Sequence, residues 1–209
     1  FVAEGQETED TMSWPWSGQV FQAFQHGPAC PQMGQMADDL PAFARKTFEH
    51  QTKSFNDLEC LNLSIYAPSP SVSIPPTGFP VLVWTHGGTY AYGSNSQPFN
   101  DPSNLVIKHN VIVVVPNYRL GAYGFMAFPD EPEANYAYED MRAALRWVQE
   151  NIAAFNGDAR MITLAGFSAG GHMVNWLAVL DEQDRLNAMS TSTSTTTTTS
   201  NKASSSSSS

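Results

Sequence analysis

Apolar positions along this chain follow two rhythms. Leu61 to Tyr66 alternates apolar and polar residues and stops before Pro68, the pattern of a half-buried strand. Pro80 to Thr85 and Asn110 to Val115 are instead short Val-rich runs bounded by turn residues, which predicts strands covered on both faces. Between them, Asn104 to His109 reads as a short helix. After a turn at Pro129 to Pro132, Met141, Leu145, Val148, Ile152 and Phe155 recur at intervals of three and four, and Asn156-Gly157 supplies a helix stop. Met161 to Ala165 then reads as a strand, and Met173, Trp176, Leu177 and Leu180 mark one face of a helix starting near Ala169. Strands alternating with helices predict an α/β fold with parallel strands at its centre.

Composition narrows the picture. With 209 residues, 42% apolar and 14% charged, the chain suits one globular domain with a real core. A formal net charge of −10 and no basic cluster exclude a nucleic-acid binder. The longest strongly apolar run, Val111 to Val115, is far short of the roughly 18 residues of a membrane span. From Ser190 to Ser209, seventeen of twenty residues are Ser or Thr, so this tail is expected to be disordered. An O-glycosylated stalk and a low-complexity or aberrant gene-product end are both open readings of it. The first residue is Phe1, which reads as a cut or processed end. Cys30 and Cys60 are wrongly spaced for a zinc site, so no metal is expected, and no cofactor motif appears. One disulfide and two buried thiols are both open for that pair.

The candidate chemistry lies where the strand ending at Ala165 gives way to a helix. Gly166-Phe167-Ser168-Ala169-Gly170 fits G-x-S-x-G, in which a serine sits on a sharp strained turn and larger neighbours would collide with the adjoining strand and helix. Upstream, Trp84-Thr85-His86-Gly87-Gly88-Thr89-Tyr90 follows a strand with a His-Gly-Gly loop, whose backbone N–H groups can face a developing oxyanion.

Further blocks make the chain resemble the type B carboxylesterase family, which includes the cholinesterases and has the α/β-hydrolase fold. Glu59-Cys60-Leu61-Asn62-Leu63 resembles the family's E-D-C-L-x-L-N signature, and Pro80-Val81-Leu82-Val83-Trp84 with His86-Gly87-Gly88 resembles its P-V-x-V-W-x-H-G-G-G block. Asn117 to Gly121, Ala143 to Ala153, Phe155 to Asp158 and Gly166 to Gly171 continue the likeness, which covers roughly residues 14 to 180. It implies a partial α/β-hydrolase domain over residues 1–189, with residues 190–209 as the tail. It also implies a small-molecule carboxylic ester as substrate, cleaved through an acyl-serine intermediate.

By resemblance, Ser168 is the nucleophile, and Gly88, Thr89 and Ala169 supply the oxyanion-hole N–H groups. Cys30 and Cys60 match the first family disulfide, which implies a secretory route, and Arg119 and Asp140 match a structural ion pair. Three departures stand out. Phe167 replaces a Glu, Thr89 replaces a Gly whose backbone angles a β-branched residue does not share, and no Trp lies between Cys30 and Cys60, which disfavours choline esters.

A serine hydroxyl also needs a base and an acid that orients it. The family places both after the serine, whereas here His172 follows on the outgoing helix, tied to a helix face and not expected to be the base. Asp181, Glu182 and Asp184 read as a solvated helix end, His86 as a residue supporting its loop by hydrogen bonding, and His26, His50 and His109 stand outside any motif. The expectation is a fragment with little turnover of its own, lacking the acid, the His and the family's first strands. The rival expectation is a non-catalytic binding or adhesion member of the same fold.

Overall fold

The computed structural model describes residues 25–32, 56, 59–127 and 134–183. Within them four strands, β1 (Leu63–Tyr66), β2 (Phe79–Thr85), β3 (Ile112–Pro116) and β4 (Gly157–Gly166), form a single sheet in the order β1-β3-β2-β4. β2 lies parallel to both β3 and β4, while β1 runs antiparallel to β3 with Ser64 opposite Val115. Helices α1 (Ser103–His109), α2 (Gly121–Phe125), α3 (Tyr136–Asn151) and α4 (residues 169–183) flank it. This is the α/β class that the alternating rhythms predict.

β3 explains why the sheet needs two layers of cover. All five of its residues are buried, and successive side chains point to opposite faces. Val113 and Val115 pack with Val106 of α1, whereas Ile112 and Val114 join Val81, Val83, Val148 and Ile152 on the α3 side. Each such side chain contributes roughly 1.5–3 kcal/mol on leaving water. A third cluster, Tyr118, Leu120, Met141, Met173 and Leu177, ties the segment after β3 to α3 and α4.

Most boundaries fall within two residues of expectation, and the differences have local causes. β4 starts at Gly157 rather than Met161, because Phe79 donates its N–H to Asn156 O at 2.7 Å and pairs with Gly157. α3 ends at Asn151, and a 3-10 turn, Ile152–Phe155, carries the chain to Asn156, whose φ of 64° closes it. The apolar face expected of α4 is narrower than the pattern suggests: Met173 and Leu177 are buried, but Trp176 is 46% exposed. No periodicity in the sequence announces α2. The turn at Pro129 to Pro132 and the Ser/Thr-rich tail lie outside the described residues. Among the described residues no helix is long and apolar enough to cross a membrane, and no His, Cys, Asp and Glu cluster suits a metal ion.

Candidate active site

β2 and β4 are parallel neighbours that end in register, Thr85 opposite Gly166, so the loops that follow them leave the sheet side by side. The loop after β4 carries Ser168 at φ 53°, a left-handed conformation that costs a non-glycine residue of order 1–3 kcal/mol. Hydrogen bonds hold it there. Phe167 N–H donates to Thr85 O at 3.2 Å, Gly170 N–H to Phe167 O at 2.9 Å and His172 N–H to Ser168 O at 3.0 Å. The flanking glycines are needed for space: a Cβ on Gly166 would lie 2.5 Å from Gly170 C, and one on Gly170 would strike the carbonyls of Thr85 and His86.

The loop after β2 folds around Gly88 O, which accepts N–H bonds from Ala91 at 2.9 Å and Tyr92 at 3.1 Å. Gly88 has φ 115°, and Thr89 and Tyr90 follow at 51° and 62°, two successive non-glycine residues in the left-handed region. Thr89 Oγ1 donates to Gly88 O at 2.8 Å. The loop lies directly against the serine turn, since a Cβ on Gly87 would meet Phe167 O at 2.7 Å and Ser168 Cβ at 3.3 Å. Among the described residues, no loop or turn carbonyl accepts the N–H of Gly88, Thr89 or Ala169. Phe167 and Phe99, both more than half exposed, meet with ring centroids 5.4 Å apart beside the serine.

Behind the loop, His86 is fully buried and stacks on Tyr118 with centroids 4.4 Å apart. Tyr118 O–H donates to His86 O at 2.9 Å. His86 Nδ1 lies 2.9 Å from Gly87 O, an acceptor, so Nδ1 carries the proton and Nε2 is left buried with no partner. Burial lowers the His86 pKa to about 4, against the pull of the Gly87 carbonyl. The expected loop-supporting role thus comes from one nitrogen only, with ring stacking carrying the rest. Arg119 follows Tyr118 in sequence and pairs with Asp140 of α3, Nη2 to Oδ1 at 2.7 Å. That carboxylate is chiefly what holds the Arg119 pKa up.

Cys30 and Cys60 are disulfide-bonded, their Cα atoms 4.6 Å apart. The bridge reaches the site through Gln32, whose amide takes the Gly93 N–H at 2.9 Å and gives an N–H to Gly93 O at 3.1 Å. Asn62 continues the connection, donating to Pro28 O at 2.9 Å and accepting from Asn95 Nδ2 at 2.9 Å. Asn117 Oδ1 accepts the Asn95 N–H at 2.7 Å. Gln32, Asn62, Asn95, Asn117 and Tyr118 carried no catalytic signal in sequence, and only their positions beside motif residues could have drawn attention to them.

His172 is on the exposed side of α4, one turn after Ser168. Both ring nitrogens are engaged, Nδ1 with Tyr90 Oη at 2.6 Å and Nε2 with Trp176 Nε1 at 3.0 Å, so neither is turned to the serine hydroxyl. His26 contacts Ser64 Oγ at 2.9 Å, and His109 ends α1, both away from the two loops. Asp181 and Glu182 lie near the exposed end of α4, as expected. His50 and Asp184 are outside the described residues.

A left-handed serine on a strand-to-helix turn, with a glycine loop from the neighbouring parallel strand against it, defines the α/β-hydrolase arrangement. The chain belongs to the Carboxylesterase family, which it matches over residues 9–208. It is 39% identical over 155 residues to the para-nitrobenzyl esterase of Bacillus subtilis (strain 168), covering 73% of this chain and 29% of that protein. Against the acetylcholinesterase of Bungarus fasciatus it is 38% identical over 173 residues, 82% of this chain and 27% of the relative. The solved structure of a thermophilic PNB esterase superposes with a TM-score of 0.59 at 38% identity, over 72% of this chain and 29% of the other. The chain therefore spans less than a third of the length of these relatives.

Proposed function

We propose that Ser168 is the nucleophile of carboxylic-ester hydrolysis, and that the N–H groups of Gly88, Thr89 and Ala169 receive the oxyanion. The observation that carries this reading is the apposition of the left-handed serine turn to the Gly87-Gly88 loop. In the reaction, Ser168 Oγ adds to the ester carbonyl while a base removes its proton. The carbonyl oxygen takes the negative charge, and donors already aimed at that position stabilise it without reorganising. Collapse expels the alcohol and leaves an acyl-serine, which water hydrolyses by the same route. Phe99 and Phe167 give the entrance an apolar wall, which suits a small neutral ester. The disulfide supports a secretory route.

The base is not His172, whose ring is held by Tyr90 and Trp176. On this reading the 209-residue chain alone turns over little substrate. Incubation with a fluorophosphonate probe and with a short-chain aryl ester tests both halves. Slow labelling of wild type, abolished in Ser168→Ala, with negligible turnover is the expected result. Fast saturable turnover lost in Ser168→Ala would show that a base is already present, and labelling unaffected by that substitution would remove Ser168 as nucleophile.

A further inference from the structure

A hydrogen-bond relay through one side chain ties the loop that carries Gly88 and Thr89 to the nucleophile helix. Trp176 Nε1–H is a donor only, so His172 Nε2, 3.0 Å away, must be the acceptor and cannot carry a proton. In neutral His172 the proton is then on Nδ1, from which it points at Tyr90 Oη, 2.6 Å distant. The histidine therefore has one tautomer available, and its two bonds run in one direction, from α4 across to the loop. Tyr90's own O–H is left to face its other neighbours, and burial followed by the Tyr138 hydroxyl holds its pKa above the ordinary range. The backbone of the same histidine donates to Ser168 O at 3.0 Å. One residue thus touches the carbonyl of the candidate nucleophile and the side chain next to the candidate oxyanion donors.

The loop needs such a tether. Thr89 and Tyr90 both have left-handed φ, which neither side chain favours, and a conformation of that kind persists only where its surroundings hold it. Tyr90 is held by its ring, which meets Phe125 at 4.7 Å, by its carbonyl, which accepts the Gly121 N–H at 2.7 Å, and by its hydroxyl, which meets His172 and the Tyr138 hydroxyl. Of these, the bond to His172 is the polar tie to α4, whose Met173 and Leu177 belong to the apolar cluster the Tyr90 ring packs against. We propose that His172 is a positioning residue, locked as the Nδ1–H tautomer between Trp176 and Tyr90, which sets the distance of the Gly88-Thr89 donors from Ser168. This rests on the reading of those two N–H groups as the oxyanion site.

The test uses the full chain with 15N-labelled histidine, and its two principal readouts need no turnover. Long-range proton–nitrogen spectra of wild type are expected to show His172 as the single Nδ1–H tautomer, and Trp176→Phe, which removes the Nε1–H donor, to give a mixture. Amide exchange at Ala91, Tyr92 and Gly121, which bond to loop carbonyls, is expected to quicken about tenfold in His172→Phe, the size of a lost hydrogen bond. His172→Asn, whose amide can still donate to Tyr90, should restore most of that protection. Should His172→Phe fail to fold, Tyr90→Phe removes the same bond by deleting one oxygen and carries the same exchange prediction. An Nε2–H tautomer in wild type, or unchanged exchange in both His172→Phe and Tyr90→Phe, overturns the proposal. Fluorophosphonate labelling of Ser168, run in parallel, is expected to slow in His172→Phe and recover in His172→Asn. A wild type that labels but shows no change across these variants would sink the positioning role alone. A wild type with the predicted tautomer and exchange but no labelling would sink the hydrolase reading and leave the tether standing.

Discussion

Asp140 holds Arg119 from three directions. Its Oδ2 accepts the Arg119 backbone N–H at 3.0 Å and the Nε–H at 2.8 Å, while Oδ1 accepts Nη2–H at 2.7 Å. The carboxylate is nearly buried and the guanidinium about one-third exposed, side-chain accessibilities of 4% and 31%. Removing one partner would leave the other charge uncompensated, though solvent reaches the arginine and softens the loss. Asp140→Asn keeps the shape but turns an amide N–H₂ toward donors, so a destabilisation of about 2–3 kcal/mol is expected in urea melts. A change below the error of the fit would show that the pair adds nothing to the fold.

A second prediction concerns acid. His86 holds its proton with a pKa of about 4 in the folded chain against 6.5 unfolded, because it is buried. Between those values the unfolded chain binds a proton that the folded chain refuses, so stability is complete above pH 6.5 and declines as pH falls towards 4. The slope from this group approaches about 1.4 kcal/mol per pH unit. Comparing wild type with His86→Phe, which retains a ring against Tyr118, isolates it from the carboxylates. The variant's stability should fall less steeply over that interval, and parallel curves would mean that His86 is not buried neutral.

Reduction of the disulfide gives a third. Cys30 and Cys60 are 30 residues apart in sequence, and opening a loop of that size costs about 3–4 kcal/mol in the chain-entropy account. Because Gln32 ties the bridge to Gly93, the loss should be felt at the site: exchange of the Gly93 amide is expected to rise on adding a reductant, before global unfolding. Global and Gly93 exchange rising together would show that the clip has no stability of its own.

The fourth tests the serine turn without touching its chemistry. Gly170→Ala would drive a methyl group into the carbonyls of Thr85 and His86, both backbone and unable to turn aside. The expected cost is at least about 2 kcal/mol, in the range of overpacked cores. Ala169→Gly, at a neighbouring position, should cost roughly 1 kcal/mol or less. If the two variants melt alike, the turn is looser than its geometry indicates.

What could be read beforehand divides along physical lines. The Val-rich run of β3 gave it away because burial on two faces leaves no polar positions in a strand, whereas β2, expected to be covered alike, is fully buried on one face and half-buried on the other; the three-and-four spacing from Met141 reveals α3 for the converse reason. Nothing in local spacing told that β1 would run antiparallel, since direction is set by the connection and not by the strand. α2 is five residues long, shorter than any period that could announce it. At the site, Ser168 and Gly88 were legible because their geometry demands small neighbours in sequence. The Tyr90 to His172 contact was not, because it joins residues 82 apart, whose partnership exists only once β2 and β4 lie side by side.

The position of β4 has one further consequence. It is last in the sheet order and pairs only with β2 among the described residues, and the serine turn is its direct continuation. Any segment that paired with its other edge would bind the ordered form of that strand and not the frayed one, so by mass action occupancy and the order of the turn would be thermodynamically linked. Among the described residues Ser168 takes its rigidity from the β2 side of the strand, and the affinity of any partner for the other edge would be measurable at the serine.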